Sequence, residues 1–217
     1  MYRARIDSPL GPILLCADRE GLRGLYFVDQ KDCPPLEDGP PPRLDSLRPS
    51  SGMASGIPLR TLRPARRQMP SNPERRPAPL SIERAGPQLL QEQTSAEVLE
   101  LFSRVQEELS QYFFGARREF GFSVALSGTA FQMKVWEALR RVPYGEVVSY
   151  GKLAAMAGLT AGHGRAVGAA VGRNPVSIAV PCHRIIGANR SLTGYGGGLS
   201  RKVSLLELEG FELFDTG

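Results

Sequence analysis

The sequence predicts a two-part α/β chain: a small antiparallel sheet with one helix, then a mainly helical region. Two observations predict it. Residues 2–28 hold three short apolar-rich runs of strand length, separated by turn signals. From Ser95 to Gly210 the apolar residues recur instead at helical spacing, in segments bounded by Ser, Thr and Gly.

Residues 2–7, 12–17 and 22–28 read as three strands. Their turns fall at Ser8-Pro9-Leu10-Gly11 and Asp18-Arg19-Glu20-Gly21. Composition then changes. Residues 31–93 hold thirteen of the eighteen prolines and ten Lys/Arg, with no aromatic residue. A stretch with so little to bury reads as a disordered or extended insertion. The next helix spans about Ser95 to Phe114, with Val98, Leu101, Phe102, Val105 and Leu109 on its apolar face. A strand is expected at Phe120 to Leu126. Gly128-Thr129 then opens a helix from Ala130 to Arg141, with Phe131, Val135, Trp136 and Leu139 facing a core. Ser149 can cap a helix from Tyr150 to Ala157, stopped by Gly158. A short loop and a second helix, about Arg165 to Val171, complete a helix-turn-helix spacing. That second helix is made almost wholly of small residues: Ala166, Gly168, Ala169, Ala170 and Gly172. Without long polar side chains it is poorly equipped to read base edges. It suits either tight core packing or close approach to another surface.

The most informative residues are Val180-Pro181-Cys182-His183-Arg184. They end an apolar run, Ser177-Ile178-Ala179-Val180, read as a strand. Pro181 favours an extended Val180 and removes a ladder hydrogen bond. Cys182 then sits on the turn leaving the strand. A thiol in that position is either inert packing or a nucleophile that something deprotonates. His183 is adjacent, but neighbours on a strand face opposite ways. It can serve Cys182 only through the turn or a bridging water, with a third group fixing its tautomer. The last helix, Leu199 to Glu209 before Gly210, supplies a candidate. Glu209 lies beside the Leu199-Val203-Leu206 stripe. A carboxylate at a helix C-terminus is slightly unfavourable, so it implies a specific partner, and His183 fits.

With these residues in view, the last ninety or so residues resemble the O6-alkylguanine-DNA alkyltransferases, the methylated-DNA–protein-cysteine methyltransferase family. The motifs, in order, are Val147-Val148-Ser149-Tyr150, Arg165-Ala166-Val167-Gly168, Asn174-Pro175-Val176, Val180-Pro181-Cys182-His183-Arg184, and Gly194-Tyr195 with Gly197-Gly198-Leu199. The resemblance implies that residues 1–126 form a ribonuclease-H-like domain that does no chemistry, a three-stranded sheet with a helix interrupted by the insertion at 31–93. It implies that residues 127–217 form a winged-helix-like alkyltransferase and DNA-binding domain. Cys182 would accept the alkyl group, His183 would act as base through a water, and Glu209 would orient it. Tyr150 would help flip the base and protonate the departing guanine. Asn174 would be the hinge residue, and Arg165 would fill the gap in the stack. Ala166, Gly168 and Ala169 would let the helix approach the minor groove of double-stranded DNA. Val180, Tyr195, Lys202 and Ser177 would border the pocket for the alkylated guanine.

That function is transfer of the alkyl group from O6-alkylguanine, and from O4-alkylthymine, irreversibly to the protein's own cysteine. The alternative is a sensor of alkylated bases that does not repair them. Relatives of that kind lack the acceptor cysteine. A cysteine hydrolase would explain Cys182 and His183 but neither Arg165 nor the helix-turn-helix. Composition agrees with a DNA partner: net charge is +5. Residues 127–217 carry ten Lys/Arg against six Asp/Glu, while residues 1–30 are balanced, four against four. Three cysteines with no disulfide spacing and two histidines form no metal motif. The expectation is a cytoplasmic monomer without metal or cofactor. No run is long enough for a membrane, and residues 1–7 carry no apolar leader.

Overall fold

The computed structural model describes residues 1–36, 60–64, 86–91 and 93–215. Strands β1 (Tyr2–Ile6), β2 (Ile13–Asp18) and β3 (Gly21–Phe27) form an antiparallel meander. Alternation sets the register. Ala4 and Ile6 of β1 face the core with Ile13, Leu15 and Ala17 of β2. A bulge between Cys16 and Ala17 shifts the pairing and brings Leu22, Leu25 and Phe27 of β3 onto the same side.

Two further strands lie inside the stretch expected to lack structure. Strand β4 (Arg60–Pro64) pairs antiparallel with the C-terminal strand, and β5 (Gln88–Leu89) adds a fourth strand beside β1. The expectation of disorder over 31–93 is therefore corrected at these residues. Main-chain pairing needs no apolar side chains, so composition gave no sign of it. Residues 37–59, 65–85 and 92 of that stretch lie outside the described residues.

Helix α1 (Ala96–Phe113) lays Val98, Phe102, Val105, Leu109 and Tyr112 against the sheet. The expected strand at Phe120–Leu126 does not form. The chain there is extended and makes a single bridge, Leu22 to Val124. A second segment shares the same edge of β3 through the bridge Leu25 to Val176, so neither can lengthen into a ladder.

Helix α2 (Ala130–Arg140) starts with a capping box: Thr129 accepts from Gln132 N, and Gln132 accepts from Thr129 N. Trp136 locks it to the helical pair by donating to Ala170 O at 2.9 Å. A two-residue strand, β6 (Val148–Ser149), leads into α3 (Tyr150–Met156), whose cap is the Ser149 hydroxyl. Gly158, with φ of 70°, ends the excursion in a conformation that favours glycine. A 3-10 turn at Ala161–His163 precedes α4 (Gly164–Gly172). Strand β7 (Ile185–Ile186) runs parallel to β6, which sets the start of α3 beside the Cys182 turn. Helix α5 (Leu199–Leu208) and strand β8 (Phe211–Asp215) close the fold. Among the described residues no helix is long and apolar enough to cross a membrane.

Among the described residues strand β8 pairs only with β4, with Phe211 packed against Ile186 and Leu206, and a two-stranded ribbon is marginal by itself. Deleting residues 60–64, which removes the main-chain partners themselves, should therefore speed amide hydrogen exchange in Phe211–Asp215 by roughly tenfold or more, with β1–β3 unchanged. Unaltered exchange in β8 would show that the pairing contributes nothing.

Candidate active site around Cys182

The expected strand at Ser177–Val180 is instead a turn, and Asn174 is the reason. Its Oδ1 accepts from Val176 N at 3.1 Å, and its Nδ2 donates to Val180 O at 2.8 Å. A side chain that takes the backbone's partners competes with a ladder. Ile178 is left at φ of 69°, and Val180 N bonds back to Val176 O. Pro181 then starts a 3-10 turn, Cys182–Arg184. Asn174 Nδ2 also lies 3.1 Å from Cys182 Sγ. One amide thus shapes the turn and touches the sulfur it carries.

The next residue completes a buried polar array. His183 and Glu209 side chains are both 0% exposed, with Nε2 2.9 Å from Oε1. Glu209 is the C-cap of α5, so it projects where the helix ends. Arg184 grips it side-on: Nε lies 2.9 Å from Oε2 and Nη2 lies 2.8 Å from Oε1. Arg184 Nη1 donates to Val142 O at 2.6 Å, fixing the guanidinium. Tyr112 Oη donates to Oε1 at 2.8 Å, and Gly145 N donates to Oε2 at 3.2 Å. Burial favours the neutral acid, but the hydrogen bonds and charges of His183 and Arg184 outweigh it and hold Glu209 at about 2. An ionised carboxylate needs a proton from its partner, so His183 carries hydrogen on Nε2. Its Nδ1 is buried with no hydrogen-bond partner among the described residues, which leaves a lone pair free to accept a proton.

Burial also sets the resting state. It pushes the Cys182 thiol above its usual range, against the pull of the Asn174 hydrogen bond and the Lys202 charge. It lowers His183, against the pull of Glu209. At neutral pH the set is therefore thiol, neutral imidazole and carboxylate.

Beside the sulfur lies a cavity of about 250 Å³, lined by Tyr150, Gly168, Val171, Gly172, Cys182, Gly194, Tyr195 and Gly196. Thr193 Oγ1 donates to Tyr150 Oη at 3.2 Å. Of the four predicted pocket residues, Tyr195 lines this cavity. Ser177, Val180 and Lys202 are buried and support its surroundings. Ser177 N bonds Leu25 O, and Val180 O accepts from Asn174. Lys202 donates to Ile185 O and Thr193 O, tying the 193–198 loop to the end of the Cys182 turn. Burial draws its ammonium down to about 8. Gly197 admits no side chain: a Cβ there would meet Tyr195 and Phe27 at 2.7 and 2.9 Å. Arg165, Ala166 and Ala169 are exposed on α4, and Gly168 faces the Tyr150 ring. Among the described residues no three His, Cys, Asp or Glu side chains gather to hold a metal.

The structure thus brings together Cys182, His183, Glu209, Asn174 and Tyr150. Sequence reasoning missed Tyr112, Arg184 and Gly145. Arg184 stood in the motif itself. Tyr112 follows Leu109 by three residues on a core face, where a buried phenol needs a partner for its hydroxyl.

Comparison with known proteins supplies the context. Residues 130–211 match the family model for the DNA binding domain of 6-O-methylguanine DNA methyltransferase, and residues 1–38 match its ribonuclease-like domain. A methylated-DNA–protein-cysteine methyltransferase of Methanosarcina acetivorans is 34% identical over 210 residues, covering 97% of this chain and 99% of that protein. One from Mycobacterium leprae is 53% identical over 108 residues, which span 50% of this chain and 65% of the relative. The crystal structure of Mycobacterium tuberculosis OGT in complex with DNA superposes with a TM-score of 0.62 at 33% identity, covering 95% of this chain and 91% of that one.

The stability that Glu209 contributes follows from its low proton affinity. It ionises at about 2 in the fold against an ordinary 4.5, so its contribution is present above about pH 4.5 and is lost as pH falls toward 2. A shift of that size corresponds to roughly 3 kcal/mol. Glu209→Gln should be less stable to urea at neutral pH, because Arg184 loses its counter-charge. It should also lose less stability than the parent between pH 4.5 and 2. Parallel acid curves for the two proteins would refute the assignment.

Proposed function

The chain belongs to the 6-O-methylguanine DNA methyltransferase family, and from that premise we propose that it repairs DNA by moving an alkyl group from guanine O6 irreversibly to Cys182. The observation that carries this reading is the Cys182 sulfur at the wall of a cavity, backed by the buried His183–Glu209–Arg184 array. The thiol proton passes to His183 Nδ1 through a water, and the imidazolium is stabilised by Glu209. The sulfur displaces guanine O6 at the alkyl carbon: the S–C bond forms as the C–O bond breaks. The departing guanine takes a proton from the Tyr150 hydroxyl, which borders the same cavity. The product is a thioether. It has no carbonyl for water to attack, so each molecule acts once. O4-alkylthymine offers the same alkyl–oxygen bond and is a second substrate.

A base can reach the cavity only by leaving the duplex. Helix α4 is suited to a narrow minor groove: its exposed face is Ala166 and Ala169, with Gly168 at the cavity mouth. Arg165, exposed in its first turn, can fill the space a flipped base leaves. Asn174, bonded to the Cys182 turn, joins α4 to the site as a hinge. Three free thiols suit a reducing compartment such as the cytoplasm. Residues 1–126 and 127–217 are read as the two domains.

Incubation with methylated duplex DNA, followed by intact-mass and peptide mapping, tests the proposal. One methyl per molecule is expected, on the peptide holding Cys182. Repeated turnover, or label on Cys16 or Cys33, would overturn it. Arg165→Ala should slow repair of duplex DNA by roughly tenfold or more while leaving reaction with a free O6-alkylguanine base nearly unchanged, because a free base has no stack to leave. Equal losses on both substrates would place Arg165 in the pocket instead.

A further inference from the structure

Glu209 Oε1 is shared by three donors: His183 Nε2 at 2.9 Å, Arg184 Nη2 at 2.8 Å and Tyr112 Oη at 2.8 Å. Two of these come from the turn that carries Cys182. The third comes from α1, the helix packed on β1–β3, in the half of the chain expected to do no chemistry. Tyr112 is fully buried, and its ring is wedged edge-on against Phe113 and Tyr144 and tilted against Phe120. The hydroxyl therefore has a fixed direction. Burial, reinforced by the Glu209 charge, pushes its ionisation well above the usual range, so it remains a donor at every working pH.

Each hydrogen bond to Oε1 withdraws negative charge from the oxygen that His183 meets. Tyr112 thus weakens the pull of Glu209 on a protonated imidazole. We propose that Tyr112 is a positioning residue that restrains the relay, holding down the basicity of His183 so that Cys182 stays a thiol until a substrate is seated. The inference rests on the alkyl-acceptor reading of Cys182. An acceptor used once is lost if it ionises early and meets any stray electrophile. The neighbouring charges are consistent with such a balance. Arg184 and Lys202 disfavour a charged His183, while Glu209 favours it. Lys202 and the Asn174 hydrogen bond favour a Cys182 thiolate. Tyr144 and Arg118 border the array next to Tyr112. A change confined to the Tyr112 hydroxyl leaves all of these in place.

The test uses the full chain with Tyr112→Phe, and separately with Tyr112 replaced by a ring-fluorinated tyrosine, whose hydroxyl is a stronger donor of nearly the same shape. The readout is the pH of half-maximal alkylation of Cys182 by iodoacetamide, followed by peptide mapping. Tyr112→Phe should lower that pH by about half a unit, and the fluorinated residue should raise it. A merely structural tyrosine would move neither, and an unchanged pH in both, or shifts in the same direction, would overturn the proposal. If Tyr112→Phe does not fold, the fluorinated protein decides alone. No DNA enters this titration. Methyl transfer from DNA, measured separately on the parent protein, tests the alkyl-acceptor reading, so the two can fail independently.

Discussion

The Glu209 carboxylate is the constraint on which the rest of the site depends. It is buried, ionised, and met by donors from three separate stretches of chain: Tyr112 on α1, Gly145 after α2, and His183 with Arg184 on the Cys182 turn. A buried charge is tolerated only when its lone pairs are filled. That requirement orders the helix α1, the loop before β6 and the Cys182 turn around one point. It also explains an acid at the C-terminal end of α5, where the helix dipole gives it no support. Removing one partner from such an array typically costs about 3–5 kcal/mol, because a charge is left buried alone.

Around this anchor the sulfur is poised between opposing effects. Burial favours the thiol, while Asn174 and Lys202 favour the thiolate. Lys202 also ties the loop on the far side of the cavity through Thr193 O, so the charge near the sulfur and the shape of the cavity share one side chain. Asn174 likewise shapes the turn and contacts the sulfur. Substituting either residue would change reactivity and geometry together, which makes them poor probes of the chemistry alone.

Much of this was legible in the sequence because it follows from period and spacing. Three strands, five helices and the cap at Ser149 lie within a residue or two of where the sequence puts them. Glu209 could be singled out because an acid beside an apolar stripe at a helix end is locally unfavourable. What failed depended on long-range competition. The runs 120–126 and 177–180 look like strands, but they share one edge of β3, and Asn174 diverts the second into a turn. Strand β4 has no apolar alternation to reveal it. Its pairing with β8 is a main-chain match between residues about 150 positions apart. Tyr112 and Arg184 were visible as residues but not as partners, since Tyr112 and Glu209 lie 97 positions apart.

The central claim is that Glu209 fixes His183 with hydrogen on Nε2, leaving Nδ1 free to take the thiol proton. Nitrogen-15 NMR of imidazole-labelled protein at neutral pH measures this directly. The expected spectrum shows a protonated Nε2 and an unprotonated Nδ1 for His183, with that preference lost in Glu209→Ala. A resting His183 protonated on Nδ1, or on both nitrogens, would contradict the claim, because no lone pair would then be available to Cys182.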